Sequence, residues 1–321
     1  MGYLPQRFSA RGRGAGVPAW RRDDRCRVAV VGDSASETNQ DIAEVWQALG
    51  LDAAVLSPAE SLESLRPGDT ALGRVDVRRS LDGIAAGLLE LLALQRRGVR
   101  VLNRPGALLR AHDKLRTARA LAAALVPHPP TEHITRQDPR PSLLPPVVVK
   151  PRFGSWGAEV IRCDSAGAVR AAIEALHERP WFQRQGALVQ SLVPPIGHDL
   201  RVLVAGGSIV GAESRIAAEH EWRTNISLGG SSCAAIVPPR ARAAALAAAR
   251  AVAGDFVGID LLPHRGDYVV IEVNGGVDFE RRYSLPGRNV FTDIAAALGL
   301  ITPLPDLDTV TAPAVIAAAT P

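Results

Sequence analysis

Apolar runs of strand length alternate with amphipathic stretches over residues 26–104. The runs lie at 27–33 (RVAVVGD), 52–57 (DAAVLS) and 99–103 (VRVLN), and a shorter one lies within TALGRVDVRRSLDGI. Between them, apolar residues recur with helical spacing in TNQDIAEVWQALG and in GIAAGLLELLALQRRG. Strands that alternate with helices build parallel sheets, so this pattern predicts a small parallel α/β lobe.

Beyond residue 104 the pattern changes to groups of strands separated by single helices. Residues 105–125 predict one helix with proline near its start, and the proline-rich stretch 126–146 predicts a loop. Residues 147–163 predict two strands joined by a glycine-containing loop, and Ser165 is a suitable N-cap for the helix that follows. The remaining predicted elements are strands in ALVQSLVP, HDLRVLVAGG and SIVGAESRIA, a helix in PPRARAAALAAARAVAG, a hairpin turning at Arg265-Gly266-Asp267 and a closing element in VFTDIAAALG.

Both ends of the chain lack this periodicity. Residues 1–25 are rich in Arg and Gly, which predicts a disordered basic arm without the apolar core of a secretory signal. Residues 302–321 are rich in Pro and Ala and predict a loose tail. No stretch of about 18 apolar residues predicts a membrane span. We therefore expect a cytoplasmic protein that has no membrane among its partners.

Composition narrows the classes of function. Hydrophobic residues make up 47% of the chain and charged residues 22%, as in globular proteins, whereas aromatic residues make up 4%. Few aromatics argue against a stacking platform for single-stranded nucleic acid. The net charge of +4 leaves a nucleic-acid or membrane contact by the basic arm as an alternative to a solvated leader. Three distant cysteines, Cys26, Cys163 and Cys233, predict reduced thiols.

The segment VVIEVNGG, residues 269–276, carries the first candidate chemistry. Period-two alternation places Glu272 and Asn274 on one face of a strand, and Asp260 on the preceding strand has the same parity. If the register matches, Asp260 lies opposite or diagonal to Glu272. Two carboxylates and an amide oxygen are ligands suited to Mg²⁺. The alternative is a polar sheet face exposed to solvent.

Two lysines accompany segments that suit phosphate binding. In VVVKPRFGSWG, Lys150 ends an apolar run, and Gly154 and Gly157 let a loop backbone approach phosphates closely. The spacing fits neither a Walker A loop nor a dinucleotide fingerprint, and a hairpin turn with a surface lysine is the alternative. Lys114, on the helix predicted upstream, would by itself be read as solvent-exposed.

Arginines gather in and after the strands GHDLRVLVAGGSIVGAESR and in HEWRTNISLGGSS. The polar residues there are Asp199, Arg201, Arg215, Arg223 and Asn225. Guanidinium groups in a cleft bind carboxylates or phosphates, whereas the alternative is a sheet surface with solvated charges.

The order of these motifs resembles the ATP-grasp superfamily, and more narrowly its RimK-like branch of carboxylate–amine ligases. RVLNRPGALLRAHDKLRTARAL is similar to the stretch where that branch leaves its first lobe, EWRTNISLGGSS to its FRSN…GG segment, and GIDLL…YVVIEVNGG to its metal-binding hairpin. The resemblance covers roughly residues 27–300. The combination is specific, although each motif alone is weak.

The resemblance implies the ATP-grasp fold, of α/β (α+β) class, in which a small N-terminal parallel α/β lobe precedes two α+β subdomains that clamp ATP. It implies an N-terminal domain over residues 26–104 and an ATP-grasp domain over 105–301. Within the latter, a lid or central subdomain would span about 126–189 and a C-terminal subdomain about 190–301.

The same resemblance implies a role for each matching residue. The reaction would join a substrate carboxylate to an amine through an acyl phosphate, with ATP and two Mg²⁺ ions, or Mn²⁺ in their place. The implied roles are phosphate contacts by Lys114 and Lys150; a flap of Gly154, Ser155, Trp156 and Gly157; an adenine hinge of Gln190, Ser191, Leu192 and Val193; nucleoside binding by Asp199; catalytic contacts of Arg223 with the triphosphate and of Arg215 with phosphate or acid; and metal binding by Asp260, Glu272 and Asn274.

The sequence departs from the branch at two places. Ser191 stands in the hinge where the branch usually has Glu, and GGVDFERRYSLPGR follows Asn274 in place of an SSPGLE-like segment. The substrate therefore stays open: we expect a small acid and an amino acid, with a peptide or carrier protein as a further acceptor class. We also expect a homo-oligomer. Two other functions remain, an ATP-binding phosphotransferase-like protein and a non-catalytic binder of polyanions, whose affinity would fall steeply with salt.

Overall fold

A computed structural model describes residues 26–302 of the chain. The predicted basic arm over residues 1–25 and the predicted tail beyond residue 302 lie outside the described residues. Within the described part, no helix is both long and apolar enough to cross a membrane.

The N-terminal lobe contains a four-stranded parallel sheet in the order β2-β1-β3-β4. The predicted alternation of strands and helices is confirmed, although the sequence did not predict helix α2, which starts with a Ser57–Glu60 capping box. The elements of the lobe are β1 Arg27–Gly32, α1 Glu37–Ala48, β2 Asp52–Leu56, α2 Pro58–Ser64, β3 Thr70–Arg74, α3 Leu88–Arg96 and β4 Arg100–Leu102.

Two helices, not one, follow this lobe: α4 Pro105–His112 and α5 Lys114–Ala123. The prediction of one helix over 105–125 is wrong because of Asp113. Its side chain accepts hydrogen bonds from the backbone N–H groups of Leu115 and Arg116, so it acts as the N-cap of α5. A side chain that competes for backbone donors ends one helix and starts the next.

A four-stranded antiparallel sheet, which we call the lid sheet, comes next, in the order β5-β8-β6-β7. Ser165 caps its helix as predicted. The prediction of a loop over 126–146 is wrong in part, because β5 lies there and pairs along its length with β8. Cross-strand pairing decided this strand despite its proline neighbours. The elements are β5 Thr131–Ile134, β6 Val147–Pro151, β7 Ile161–Cys163, α6 Ala166–Leu176, α7 Pro180–Gln185 and β8 Ala187–Ser191.

The C-terminal sheet has five antiparallel strands in the order β11-β10-β9-β12-β13. The predicted hairpin at Arg265-Gly266-Asp267 joins β12 to β13. The alanine-rich helix α8 packs its buried alanines and Val252 against this sheet. The elements are β9 His198–Ala205, β10 Ser208–Ile216, β11 Ser231–Ala234, α8 Pro239–Val252, β12 Phe256–His264, β13 Asp267–Asn274 and α9 Val290–Ala297.

The N-terminal lobe and the C-terminal sheet share a hydrophobic core. Trp46 of α1 is fully buried and donates its indole N–H to the carbonyl of Phe291 at 3.0 Å. The buried Asn103 accepts hydrogen bonds from the backbone N–H groups of Asp255 and Phe256, both at 2.9 Å. These contacts fix the lobe against the sheet and leave a cleft between the C-terminal sheet and the lid sheet.

Candidate active site

The cleft between the lid sheet and the C-terminal sheet encloses about 1000 Å³ of space, counting the solvent at its mouth. A cleft of this size accommodates a nucleotide or a similarly large ligand. Trp156, which is about half exposed, and Asn274 lie outside its lining. The residues predicted from the motifs that do line the cleft are Lys114, Lys150, Gly154, Ser155, Gly157, Gln190, Ser191, Leu192, Val193, Asp199, Arg215, Arg223, Asp260 and Glu272.

A row of charged side chains crosses four strands of the C-terminal sheet. Glu213 on β10 pairs with Arg201 on β9, Arg201 pairs with Asp260 on β12, and Asp260 pairs with Glu272 on β13. Directly paired residues of antiparallel strands point to the same face, so the four side chains share one face. The register therefore places Asp260 directly opposite Glu272, and a bulge follows at Leu261.

Asp260 lies at the centre of this row and binds two arginines. Its oxygens accept from Nε and Nη2 of Arg201 at 2.7 and 2.8 Å, and Nη2 of Arg215 lies 2.9 Å away. Burial alone would raise the pKa of this carboxyl, but Arg201 and Arg215 outweigh burial and hold it well below its usual range. Pairing with the two arginines therefore favours the ionised form of Asp260.

Arg215 links Asp260 to the neighbouring carboxylate Asp199. Nε of Arg215 donates to Oδ1 of Asp199 at 2.8 Å, its Nη2 contacts Oδ2, and the Thr224 hydroxyl donates to Oδ2 at 2.7 Å. Both charged residues are buried. Bidentate pairs of this kind fix the orientation of both partners, so Arg215 and Asp199 hold each other in place at the cleft.

The two lysines of the cleft are the only lysines among the 37 lysine and arginine residues of the chain. Lys150 is buried, and its Nζ donates to Oε1 of Gln190 at 2.7 Å. Burial and, to a lesser degree, repulsion from Lys114 lower the pKa of Lys150 to about 8, although Glu272 opposes the change. Lys114 lies 2.9 Å from Oε1 of Glu272 and donates to the carbonyl of Gly154.

An ion pair that the sequence did not predict positions both lysines. Nε and Nη2 of Arg152 donate to Asp113 at 2.7 and 2.6 Å, and the carbonyl of Arg152 accepts from the N–H of Lys114 at 3.1 Å. Asp113 immediately precedes Lys114, and Arg152 lies two residues after Lys150. The pair therefore joins the helix that carries one lysine to the strand that carries the other.

The glycine-containing loop between β6 and β7 lines the cleft and is held by the segment that follows β10. The guanidinium of Arg223 donates to the carbonyl of Gly157 at 3.0 Å, and the Ser227 hydroxyl donates to the carbonyl of Trp156 at 3.1 Å. Gly157 has φ +71, and a Cβ there would lie 2.8 Å from Oδ1 of Asn225. The positive φ and the short distance to Asn225 both require glycine at this position, in agreement with the prediction that glycine lets this loop backbone approach closely.

Arg223 and the hinge already have partners within the protein. Arg223 forms a two-point contact with Glu221, and this hydrogen bonding lowers the pKa of Glu221 to about 2. In the hinge, the N–H groups of Ser191 and Leu192 donate to the carbonyls of Pro130 and Pro146. A ligand in the hinge must therefore use the remaining polar groups, and an anion beside Arg223 must compete with Glu221.

The donor set suits a cation that arrives with its own oxygen ligands. Among residues 26–302, no group of three or more His, Cys, Asp or Glu side chains is placed to hold a metal ion by itself. Asp260 and Glu272 supply carboxylates on one face of the sheet and both line the cleft, whereas Asn274 lies outside its lining. Mg²⁺ commonly binds one or two carboxylates together with phosphate oxygens, so these residues fit Mg²⁺ bound with a nucleotide.

The sequence named Arg201 and Asn225 without assigning them a role, and it missed Thr224, Asp113 and Arg152. Arg201 had a usable signal, since it shares strand parity with Asp199, which places both on the cleft face. Arg152 had none, because its partner lies 39 residues away.

Comparison with known proteins identifies the family of this chain. Residues 111–298 match the family described as the RimK-like ATP-grasp domain. A curated relative, a probable alpha-L-glutamate ligase of Xanthomonas axonopodis pv. citri, is 34% identical over 218 residues, which cover 66% of this chain and 71% of the relative.

Solved structures share the fold at lower identity. The RimK domain ATP-grasp protein of Sphaerobacter thermophilus superposes with a TM-score of 0.59 at 24% identity, covering 85% of this chain and 99% of that one. The ATP-grasp ligase PsnB, solved with a minimal precursor, Mg and ADP, has a TM-score of 0.60 at 18% identity and covers 85% of this chain and 97% of its own.

Proposed function

Since this chain belongs to the RimK-like ATP-grasp family and is an ATP-dependent carboxylate–amine ligase, we propose that it forms its amide bond through an acyl phosphate in the cleft between the lid sheet and the C-terminal sheet. One observation carries the proposal. Asp260 and Glu272 lie directly opposite each other, and Lys114 bonds to Glu272 within the same cleft that Lys150 lines. This set of charges matches a nucleoside triphosphate with its metal.

In the first step, an oxygen of the substrate carboxylate attacks the γ-phosphorus of ATP. The bond from that phosphorus to the oxygen of ADP breaks, and ADP leaves with the electron pair. Such a transfer depends on positioning and on charge neutralisation rather than on a protein nucleophile. Lys114, Lys150 and Arg223 would offset the phosphate charge that otherwise repels the incoming carboxylate.

In the second step, the amine nitrogen attacks the acyl carbon. The bond from that carbon to the phosphate oxygen breaks, phosphate leaves, and the nitrogen releases a proton. Water is a competing nucleophile. The loop formed by Gly154–Gly157 would therefore have to stay closed over the cleft during this step.

Asp260, Glu272 and Asn274 would hold Mg²⁺, and we expect two ions, with Mn²⁺ as a substitute. When bound, the metal supplies charge neutralisation at the phosphate oxygens. Arg201 and Arg215 already pair with Asp260 within the protein. A bound triphosphate would offer Arg215 a new anionic partner, which would leave more of the Asp260 carboxylate available.

The name of the curated relative suggests L-glutamate as the amino acid that this chain uses. The precursor bound to PsnB suggests a peptide as a second class of acceptor. Asp199 would hold the nucleoside, and residues Gln190–Val193 would contact adenine chiefly through backbone groups. The substitution of Ser191 for the usual Glu is compatible with a backbone-mediated contact.

A matrix of acids and amines, with ADP release and product mass measured together, tests this function. Glu272→Gln should lower ATP turnover by about 10²–10³-fold, the cost of losing one arranged catalytic charge. Glu174→Gln, on the exposed side of α6, is the matched control and should retain activity. Full activity in Glu272→Gln, or ADP release with no need for an amine and no amide product, would contradict the proposal.

A further inference from the structure

A short projection of the N-terminal lobe, which we call the finger, consists of residues 77–84. Its base is an antiparallel bridge between Val77 and Ile84, closed by a hydrogen bond from the N–H of Arg78 to the carbonyl of Gly83 at 2.8 Å. Val77 and Ile84 are buried in the core of the N-terminal lobe together with Leu91. The finger is therefore rooted firmly in that lobe.

The tip of the finger belongs to a different hydrophobic core. Leu81 is 9% exposed and packs within the cluster formed by the lid sheet and its helices, which includes Phe182 and Val149. Leu81 has φ +59, a left-handed conformation that is unfavourable for a leucine. Residues hold such conformations where the surrounding structure determines them. Here the packing of the tip into the lid core offsets the unfavourable backbone.

Polar contacts continue the attachment on helix α7 of the lid. Nη1 of Arg184 donates to Oδ2 of Asp82 at 2.6 Å, and Nε2 of Gln185 donates to the carbonyl of Asp82 at 3.2 Å. The Ser80 hydroxyl donates to the other carboxylate oxygen at 2.6 Å and so holds the carboxylate in place.

The finger also contacts the loop over the cleft. The guanidinium of Arg79 lies 5.9 Å from the centre of the Trp156 ring, within the range of a cation–π contact. A Cβ placed on Gly154 would lie 3.5 Å from Cδ2 of Leu81. The finger thus bridges three parts of the molecule: the N-terminal lobe, helix α7 and the loop that covers the cleft.

We propose that the finger is a positioning element that holds the lid and the Gly154–Gly157 loop closed over the acyl phosphate, with Leu81 and Asp82 as its anchoring residues. This inference rests on the function proposed above. When the finger is docked, the lid and the lobe move as one body and water is kept from the intermediate. When it is weakened, the acyl carbon is attacked by water, so ATP is converted to ADP and phosphate with the acid regenerated.

The measurement that tests this is the number of ADP molecules released per amide bond formed. Leu81→Ala should raise this ratio by roughly 3- to 10-fold, within the range that a small misplacement near a reacting centre produces. Leu125→Ala is the matched control, because Leu125 is also left-handed, with φ +54, but 90% exposed. Its ratio should equal that of the unmodified chain.

Asp82→Ala tests the same idea without touching a hydrophobic core. It should also raise the number of ADP molecules released per amide bond. Adding Arg184→Ala should cause no further rise, since the two residues act through one contact. Hydrogen exchange of the nucleotide-free protein supplies a readout independent of activity. Residues 153–158 and 180–185 should exchange faster in Leu81→Ala and in Asp82→Ala than in the control.

A fall in turnover with an unchanged ADP-to-amide ratio and unchanged exchange in these variants would overturn the positioning role. Failure of the proposed function looks different, because the unmodified chain would then form no amide with any acid and amine. In that case the exchange experiment still decides whether the finger holds the lid: unchanged exchange rejects it, and faster exchange supports it.

Discussion

Replacing Lys150 with methionine should change how the stability of the nucleotide-free protein depends on pH. Lys150 is buried, and burial together with the nearby Lys114 lowers its pKa from 10.5 to about 8. Methionine has a similar length and no charge. The charge on Lys150 therefore disfavours folding at neutral pH, and the substitution removes that cost.

The size and sign of the effect follow from proton linkage. One pKa unit is worth 1.36 kcal/mol, so the change from 10.5 to about 8 corresponds to ~3 kcal/mol. Between these two pH values the unfolded chain binds more protons than the folded chain, so the unmodified protein gains stability as pH rises. The destabilisation caused by the buried charge of Lys150 is fully present below about pH 8. The stability advantage of Lys150→Met should thus be largest there and shrink by ~3 kcal/mol by about pH 10.5.

Only the pH-dependent part of the difference in unfolding free energy between the two proteins reports the effect of the Lys150 charge. The substitution also removes the hydrogen bond to Gln190, which contributes an offset that does not vary with the lysine's protonation. Urea unfolding at several values from about pH 7 to about pH 10 gives the free energy of unfolding of both proteins. Because the chain has two lysines, NMR of ¹³C-methylated lysine also follows Lys150 directly, with Lys114→Met used for assignment.

A stability difference that is constant across this range, or a Lys150 signal that titrates at its ordinary value, would refute the reasoning. The same substitution should abolish nucleotide binding if Lys150 contacts the nucleotide phosphates as proposed above. A variant that loses the pH-dependent cost of the buried charge and is inactive is the signature of a site that trades stability for function.

Two further substitutions test buried ionisable side chains near the cleft. Asp260→Asn should abolish ligase activity and cost about 3–5 kcal/mol in urea unfolding, because Arg201 and Arg215 lose their buried partner; an unchanged free energy of unfolding would count against this pairing. Burial, then Lys114, lowers the pKa of His112 from 6.5 to about 4, so stability should fall by ~3 kcal/mol as the pH drops through that interval. His112→Gln should lack this particular loss, and an identical acid profile in both proteins would contradict the assignment.

Much of the cleft could be predicted because its residues lie in short motifs whose strand or helix periodicity can be read from neighbouring positions. Strand parity indicated that Asp260 and Glu272 share one face, and the alternation of strands and helices predicted the parallel sheet of the N-terminal lobe. The two lysines carry a further signal in the sequence. A chain that otherwise uses arginine for its basic side chains has lysine at two positions, and both line the cleft.

Other features depended on which distant segments meet. The break at Asp113 depends on a side chain that caps α5 and binds Arg152, and strand β5 exists because β8 lies beside it. Sequence patterns report the periodicity of one element and do not contain the register between elements.

The sequence by itself determined the class of fold and the residue types that the cleft would collect. The tertiary structure alone decided that Asp260 is held by two arginines and that Leu81, from the N-terminal lobe, completes the core of the lid. The physical reason is that helix and strand periodicity arise from backbone geometry between near neighbours. Burial of a charge or of a leucine tip, in contrast, is set by segments that are far apart in the chain and meet only after folding.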